Sequence, residues 1–111
     1  MIIGIGCDIT YLSKFTNKSQ NFIDKILTVN EKNLYNKRNG KKKTEFLAGH
    51  FSAKESIIKA LSSVTKINFL DIEILYKDEV PFVNIESYII YLSISHDKGI
   101  VITNAIAIKN T

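Results

Sequence analysis

The chain has 111 residues, enough for one domain with a hydrophobic core and too few for two, so residues 1–111 are expected to form a single domain. Its hydrophobic content of 45% is typical of a globular protein, and its apolar runs are far below the ~20 residues that span a bilayer. The single cysteine, Cys7, excludes an internal disulfide, and no signal peptide is apparent. We therefore expect a cytoplasmic protein without a membrane anchor.

The formal net charge is +4, and much of the basic excess lies in residues 37–43. Such a segment is either a solvated loop or a surface for an anionic partner, namely nucleic acid, a phosphate ligand or an acidic protein. Nucleic acid is the least supported of these partners. No aromatic pair alternates with the basic residues, as a base-stacking platform would require.

Residues 1–10 predict a first strand with two unlike faces. The face that we interpret as the core face is apolar and carries Ile3, Ile5, Cys7 and Ile9. The other face carries Gly4, Gly6 and Asp8. Glycines beside a carboxylate leave room for a ligand or for another backbone. Asp8 is therefore either part of a binding site or a polar cap at the end of the strand.

Two short helices are predicted next. Residues 22–27 form a short amphipathic pattern, and Thr28 or Asn30 would cap a second helix that ends near Lys37. Asn39-Gly40 is a strong turn signal. Together with Lys41-Lys42-Lys43 it predicts an exposed connection into the helix that follows.

A long helix is predicted from Thr44-Glu45 to Leu61, because the segment has high helix propensity and a broad apolar arc. Two charged residues interrupt this pattern, Lys54 near the middle of the arc and Glu55 at its edge. A buried unpaired charge costs several kcal/mol or shifts its pKa. The helix is therefore expected to offer these charges to something other than water.

A polar strip, Ser52-Glu55-Lys59, runs beside the apolar arc. Glu55 and Lys59 are one helical turn apart, so they form either a surface ion pair or part of a site. His50 lies inside the arc, where a buried structural role is favoured.

Four strands are predicted after the long helix, over residues 68–77, 82–85, 88–96 and 99–109, with a tight turn at Asp97-Lys98-Gly99. His96 ends the third of these strands on a face with Leu92 and Ile94, where a histidine is more often a core or rim residue. The element order predicts an α+β fold, in which an antiparallel sheet packs against one long helix plus short helices.

The residue types favour a hard cation at Asp8 and Glu55. Few histidines and one cysteine do not resemble a zinc site, whereas Mg²⁺ takes one or two protein carboxylates and completes its shell with phosphate oxygens and water. Neither a P-loop nor a G-x-G-x-x-G motif is present. The residues alone therefore indicate a site for Mg²⁺ and a phosphorylated ligand.

The chain resembles the 4′-phosphopantetheinyl transferases in two segments, Ile5-Gly6-Cys7-Asp8-Ile9 and Phe51-Ser52-Ala53-Lys54-Glu55-Ser56-Ile57-Ile58-Lys59. These are similar to family signatures that read roughly G-x-D and F/W-x-x-K-E-A/S-x-x-K. Further matches include Glu45-Phe46-Leu47-Ala48-Gly49 and Ser93-Ile94-Ser95-His96. The short length resembles the bacterial holo-acyl-carrier-protein synthase group, and the resemblance covers nearly the whole chain.

The resemblance implies a transfer of 4′-phosphopantetheine from coenzyme A to a serine of apo acyl carrier protein, in fatty acid biosynthesis, with release of adenosine 3′,5′-bisphosphate. It implies that Asp8 and Glu55 hold Mg²⁺, and that either Glu55 or a Mg²⁺-bound water takes the serine proton. The residues that it implies in catalysis are Glu55, Lys59 and His96. Those that it implies at coenzyme A are His50, Ser52, Lys59, Ser62 and His96.

The resemblance also implies a homotrimer with active sites between subunits, and an acidic acyl carrier protein that docks near Lys14, Lys18 and Lys25. Two departures from the family pattern stand out. His50 replaces a common arginine, and the loop Ser62-Ser63-Val64-Thr65 lacks the usual glycines. The alternative function is therefore a catalytically weakened basic domain that binds an acidic carrier protein.

Overall fold

The computed structural model describes residues 1–110, which fold into an α+β domain, as the sequence predicts. Within them, five strands and three α-helices follow in the order β1 (Ile2–Tyr11), α1 (Gln20–Ile26), α2 (Val29–Asn36), α3 (Gly40–Leu61), β2 (Glu73–Lys77), β3 (Val80–Asn84), β4 (Tyr88–Asp97) and β5 (Ile100–Lys109). A short 3₁₀ turn follows β1 at Leu12–Phe15, and a second one at Phe69–Asp71 replaces the start of the strand predicted over residues 68–77. Within residues 1–110 no helix is both long enough and apolar enough to cross a membrane.

The strands form two antiparallel sheets, a three-stranded one in the order β1-β5-β4 and the β2-β3 hairpin. β5 is the central strand, and its Thr103 lies opposite Asp8 on one side and Ile94 on the other. The predicted turn between β4 and β5 is confirmed, with positive φ at Lys98 and Gly99. The long helix α3 packs across one face of the three-stranded sheet.

The predicted core face of β1 is wrong. Ile5 and Ile9 are 68% and 61% exposed, whereas Gly4 and Gly6 face α3. A Cβ atom on Gly6 would lie 1.8 Å from the carbonyl oxygen of Ser56, and one on Gly4 would lie 1.7 Å from that of Ala60. The glycines therefore let the helix backbone approach the strand backbone directly, which is the second of the two uses that the sequence left open.

The long helix begins at Gly40, so the exposed connection predicted over Lys41-Lys42-Lys43 is wrong. Lysine has good helix propensity, and these three residues belong to the first turn of α3, with Lys41 and Lys42 exposed. The turn signal at Asn39-Gly40 instead marks the helix start, with Gly40 at a φ of 56°. At α2 the predicted cap is confirmed: Thr28 and Glu31 form a reciprocal capping box.

Candidate active site

Asp8 lies against α3, two residues beyond Gly6 on the same face of β1. Its Oδ2 accepts a hydrogen bond from the Ser52 hydroxyl at 2.8 Å, and its Oδ1 lies 3.4 Å from Nζ of Lys59. The same ammonium donates to the carbonyl of Cys7 at 2.9 Å. Two strand residues advance about 6.8 Å and four helix residues about 6.0 Å. Every second residue on this face of β1 therefore meets every fourth residue of α3. The fold thus brings Asp8, Ser52 and Lys59 together.

A buried group of hydroxyls supports the Asp8 carboxylate. Ser52, Ser56 and Thr103 are fully buried. The Ser52 hydroxyl lies 2.9 Å from Oγ1 of Thr103, which itself donates to the Ser52 carbonyl at 2.9 Å. Ser56 donates to the carbonyl of Thr103 at 3.2 Å. Ser52 therefore acts through Asp8, and Thr103 is a supporting residue that the sequence patterns did not single out.

Glu55 lies one turn from Lys59 on the same helix and is half-buried. Burial raises the pKa of its carboxyl group, the negative charge of Asp8 raises it further, and Lys59 partly opposes both effects. Lys59 makes its ion pair with Asp8, so the predicted alternative of an isolated Glu55–Lys59 surface pair does not describe this cluster. Two carboxylates that repel each other across a partly buried gap favour a cation between them.

The donor set fits Mg²⁺ better than a metal that needs a full protein cage. Asp8 and Glu55 offer oxygen ligands only, and residues 1–110 contain no group of three or more His, Cys, Asp or Glu side chains positioned to hold a metal. A metal bound at two carboxylates must take its remaining ligands from water or from a phosphorylated substrate, which is the usual habit of Mg²⁺.

His96 lies beside the N-terminal half of α3, whereas Asp8 lies beside its C-terminal half. Nδ1 of His96 is 3.6 Å from Oε2 of Glu45, and Glu45 precedes Glu55 by ten residues, about 15 Å along a helix axis. His96 and Glu45 line a groove of about 520 Å³ between α3, β4 and the β2-β3 hairpin. Arg38, Lys42 and His50 also line this groove. Within one chain, His96 is therefore separate from the Asp8–Glu55–Lys59 cluster.

His50 borders this groove but is turned into the core and is almost fully buried. Its Nδ1 lies 3.0 Å from a carboxylate oxygen of Glu31, and its Nε2 lies 2.9 Å from the hydroxyl of Tyr76. Burial lowers the pKa of His50, and this effect outweighs Glu31, which raises the pKa. The ring is therefore neutral at neutral pH. Nδ1–H then donates to Glu31 and Nε2 accepts from Tyr76. Both ring nitrogens are occupied by the protein.

Lys54 is the fully buried charge at the centre of α3. Its ammonium donates to Glu31 Oε1 at 2.6 Å, to the carbonyl of Ile26 at 2.7 Å and to that of Phe69 at 3.1 Å, so all three of its donors are used. Burial alone would raise the pKa of Glu31, but its bond to His50 and the charge of Lys54 lower it to about 2. The expectation that Lys54 serves something other than water is confirmed, and its partner is internal.

Ser62 follows the last residue of α3 and is exposed. Its hydroxyl donates to the carbonyl of Lys59 at 2.8 Å. The backbone N–H groups of Ser62, Val64 and Thr65 also donate to carbonyls of the last helical turn. The loop without glycine therefore terminates α3, and these three amides are engaged by the helix end.

Residues 4–103 match the family model described as the 4′-phosphopantetheinyl transferase superfamily. The chain belongs to this superfamily. It is thus a member of an enzyme family, as the signature segments around Asp8 and Glu55 predict.

Individual members of the superfamily resemble the chain over nearly its whole length. It is 36% identical to the holo-[acyl-carrier-protein] synthase of Oceanobacillus iheyensis, with 96% of each chain covered. It is 41% identical to that of Bacillus cytotoxicus, with 96% of this chain and 95% of the relative covered. A crystal structure of a holo-(acyl-carrier-protein) synthase from Bacillus anthracis str. Ames, in complex with CoA (3′,5′-ADP), has a TM-score of 0.87 and 37% identity, with 96% of each chain covered.

Proposed function

We propose that the chain transfers 4′-phosphopantetheine from coenzyme A to a serine of apo acyl carrier protein. The reaction is Mg²⁺-dependent, yields holo acyl carrier protein and adenosine 3′,5′-bisphosphate, and serves fatty acid biosynthesis in the cytoplasm. The cluster of Asp8, Glu55 and Lys59 carries the proposal, because it joins two carboxylates and an ammonium at the C-terminal half of α3. The names of the relatives and the CoA complex of the Bacillus anthracis synthase support it.

Asp8 and Glu55 would hold Mg²⁺, which when bound supplies positive charge to the pyrophosphate of coenzyme A. The buried hydroxyl of Ser52 fixes the Asp8 carboxylate by donating to Oδ2, which leaves Oδ1 directed at the cluster. Ser52 would therefore be a positioning residue. The structural basis is therefore an oriented Asp8 carboxylate on β1 beside the Glu55 carboxylate of α3.

Lys59 would bind phosphate oxygens beside that pair. Its ammonium contacts Asp8 and the Cys7 carbonyl yet stays half-exposed, so donor capacity remains for a substrate. In phosphoryl transfer the protein contributes mostly by positioning and by neutralising charge on the transferred group. Lys59 would meet both demands because its ammonium is held beside Asp8.

A homotrimer is the second part of the proposal. The face of the three-stranded sheet opposite α3 exposes Ile5, Ile9 and Tyr91, the last at 61%. Ile5 and Tyr91 lie in one row across Ile106 of β5, and the row of Cys7, Asn104 and Ser93 separates them from Ile9. Burial of this face between copies of the chain would remove it from water. It would also allow the His96 groove of one subunit to complete the Asp8 cluster of another.

Mass spectrometry of the acceptor tests the proposed reaction. Apo acyl carrier protein is incubated with coenzyme A, Mg²⁺ and the purified chain, with a chelator in the control. We expect the acceptor to gain one 4′-phosphopantetheine group only when Mg²⁺ is present. Tight binding to an apo carrier without any such gain would contradict the transfer and favour the alternative of a weakened basic domain that binds an acidic carrier protein.

A further inference from the structure

Three buried hydroxyl groups lie between the sheet and α3 and end at the Asp8 carboxylate. Ser52 and Ser56 are one helical turn apart on α3, and Thr103 is the residue of β5 directly opposite Asp8. All three side chains are fully buried. Alanine or valine would fill the same space without the cost of burying a hydroxyl group. Packing alone therefore does not account for this hydroxyl network of Ser52, Ser56 and Thr103.

The number of protons decides the direction of the hydrogen bonds in the hydroxyl network. A metal-binding carboxylate has no proton to donate, so Ser52 donates its only hydroxyl proton to Oδ2 of Asp8, at 2.8 Å. Oγ1 of Thr103 lies 2.9 Å from both the hydroxyl and the carbonyl oxygen of Ser52. The Ser52 hydroxyl can then only accept from Thr103, and the single proton of Thr103 is directed at Ser52.

Ser56 lies at the far end of the hydroxyl network. Its hydroxyl is 3.2 Å from the carbonyl oxygen of Thr103 and also within hydrogen-bond distance of Oγ1 of Thr103. Both are acceptors for the one proton of Ser56. The donors of the network thus all point towards Asp8, from Ser56 through Thr103 to Ser52.

Thr103 controls which acceptor the Ser52 proton finds. A serine inside a helix can donate to the carbonyl four residues earlier, which for Ser52 is that of Ala48. Because Thr103 approaches the Ser52 hydroxyl from β5 as a donor, the Ser52 proton is turned away from β5 and towards Asp8. Thr103 therefore stabilises the one orientation of Ser52 that fixes the Asp8 carboxylate.

Outer partners of a metal ligand hold it in the orientation that binding requires, and their loss typically weakens metal affinity by about tenfold or more. Resting on the proposed function, in which Asp8 and Glu55 hold Mg²⁺, we propose that Thr103 and Ser56 are positioning residues that raise the affinity of this site for a divalent cation. Both are fully buried, so they act through Ser52 and not by contact with the substrate. They set how tightly the cation is held and leave the transfer step itself unchanged.

A titration with Mn²⁺, as the probe for Mg²⁺, tests this role in the presence of coenzyme A. Electron paramagnetic resonance follows the free Mn²⁺, and the Mn²⁺ bound at the site is the part that Asp8→Asn removes. Thr103→Val removes the hydroxyl with little change of shape and should raise the Kd for Mn²⁺ by about tenfold. Thr103→Ser keeps the hydroxyl and should restore a Kd near that of wild type.

Thr10→Val is the matched control. Thr10 is buried, at 6% exposure, on the same face of β1 as Asp8, and its hydroxyl takes part in none of the bonds of the network. The same exchange there should leave the Kd for Mn²⁺ as in wild type. A Thr103→Val protein that is folded and has the Kd of this control overturns the proposal.

Transfer assays separate positioning from a merely structural role. Thr103→Val should raise the KM for Mg²⁺ by about tenfold, while kcat at saturating Mg²⁺ stays nearly unchanged. A structural role would instead lower the fraction of folded protein, and hence the apparent kcat, and would leave the KM for Mg²⁺ unchanged. That second pattern contradicts the proposal.

A double-mutant cycle tests the path through Ser52. In the background of Ser52→Ala, Thr103→Val should not raise the Kd for Mn²⁺ further, because Thr103 then has no bonded path to Asp8. An equal rise in both backgrounds overturns the proposal. If Thr103→Val does not fold, Ser56→Ala decides, since alanine favours a helix. It should raise the Kd by about threefold, less than Thr103→Val because Ser56 is one bond further from the metal, and an unchanged Kd refutes the proposal.

These outcomes are distinct from failure of the proposed function. Wild type that binds Mn²⁺ through Asp8 and Thr103 but transfers no 4′-phosphopantetheine would contradict the proposed reaction and support the role of Thr103. Wild type that transfers the group, with a Kd for Mn²⁺ that Thr103→Val does not change, would refute the role of Thr103 alone. Wild type without any Mn²⁺ binding that depends on Asp8 would overturn the role of Thr103 together with the proposed metal site.

Discussion

Lys54 shows how a single residue was flagged by the sequence and explained only by the fold. Its position in the apolar arc of α3 contradicts ordinary amphipathic patterning, and this much was visible in the sequence. Its partner, Glu31, lies 23 residues earlier and is itself satisfied by Thr28, His50 and Ile74. The buried pair ties α2, α3 and β2 together. A local sequence pattern cannot show that Lys54 and Glu31 are partners, because they are far apart along the chain.

Replacement of Lys54 by methionine is expected to destabilise the fold by about 3–5 kcal/mol, because it leaves Glu31 buried without its cation. Urea unfolding followed by circular dichroism measures this change. Lys41→Met is the matched control on the same helix, since Lys41 is exposed, and it should change stability little. A Lys54→Met protein as stable as the control would refute a structural role for the ion pair.

The same logic applies to His50. The resemblance placed it at the phosphates of coenzyme A because the family commonly has arginine there. In the structure the smaller, neutral ring fits between Glu31 and Tyr76, and Arg38 supplies a permanent charge to the groove that His50 borders. The sequence revealed the departure at His50, but the relation to Arg38 depends on the packing of α2 on α3.

At the scale of elements, the close contact of β1 with α3 organises the fold and positions Asp8. Alternation along β1 correctly separated two faces. It could not identify the buried one, because glycine carries no hydropathy signal and the isoleucines on the other face suggested a core. The close approach of the β1 and α3 backbones at Gly4 and Gly6 shows which face is buried. The sequence does contain one signal for this contact, because the helix has small residues, Ser56 and Ala60, that pair with the glycines of the strand.

Gly6→Ala is expected to prevent folding or to destabilise it severely, because the new methyl group meets a backbone carbonyl that cannot move without shifting α3. Gly49→Ala is the matched control within α3, where a Cβ atom meets only Ile94 at 3.6 Å. That control should stabilise the protein by about 0.5–1 kcal/mol through helix propensity. Thermal unfolding of both variants measures the contrast, and equal effects would contradict the packing described for β1.

At the scale of the whole molecule, one chain carries two separate groups of functional candidates. Asp8, Glu55 and Lys59 lie at the C-terminal half of α3, and His96 lies with Arg38 at its N-terminal half. The sequence grouped all of them in one site through the family resemblance, because motif spacing gives no information on which subunit supplies each residue. The exposed apolar sheet face offers the route by which copies of the chain would join the two groups.

Ile9→Lys is expected to convert the proposed trimer to monomers, because it places a charge on the exposed apolar side of the sheet. Analytical ultracentrifugation measures the mass in solution. Val29→Lys is the control, since Val29 is also an exposed apolar residue, at 69%, but lies on α2 away from that face. Wild type that sediments as a monomer, or a trimer that survives Ile9→Lys, would contradict assembly through this face.

The central claim is that the acidic pair at β1 and α3 performs the transfer. The most direct measurement is the initial rate of 4′-phosphopantetheine transfer to apo acyl carrier protein by Asp8→Asn and Glu55→Gln, with Asp97→Asn as an exposed control. Both variants should stay folded and lose about 10³-fold in rate, the scale expected when a charge that stabilises the transition state is removed, while the control keeps the wild-type rate. Folded Asp8→Asn and Glu55→Gln proteins that transfer at the rate of the control would contradict the account.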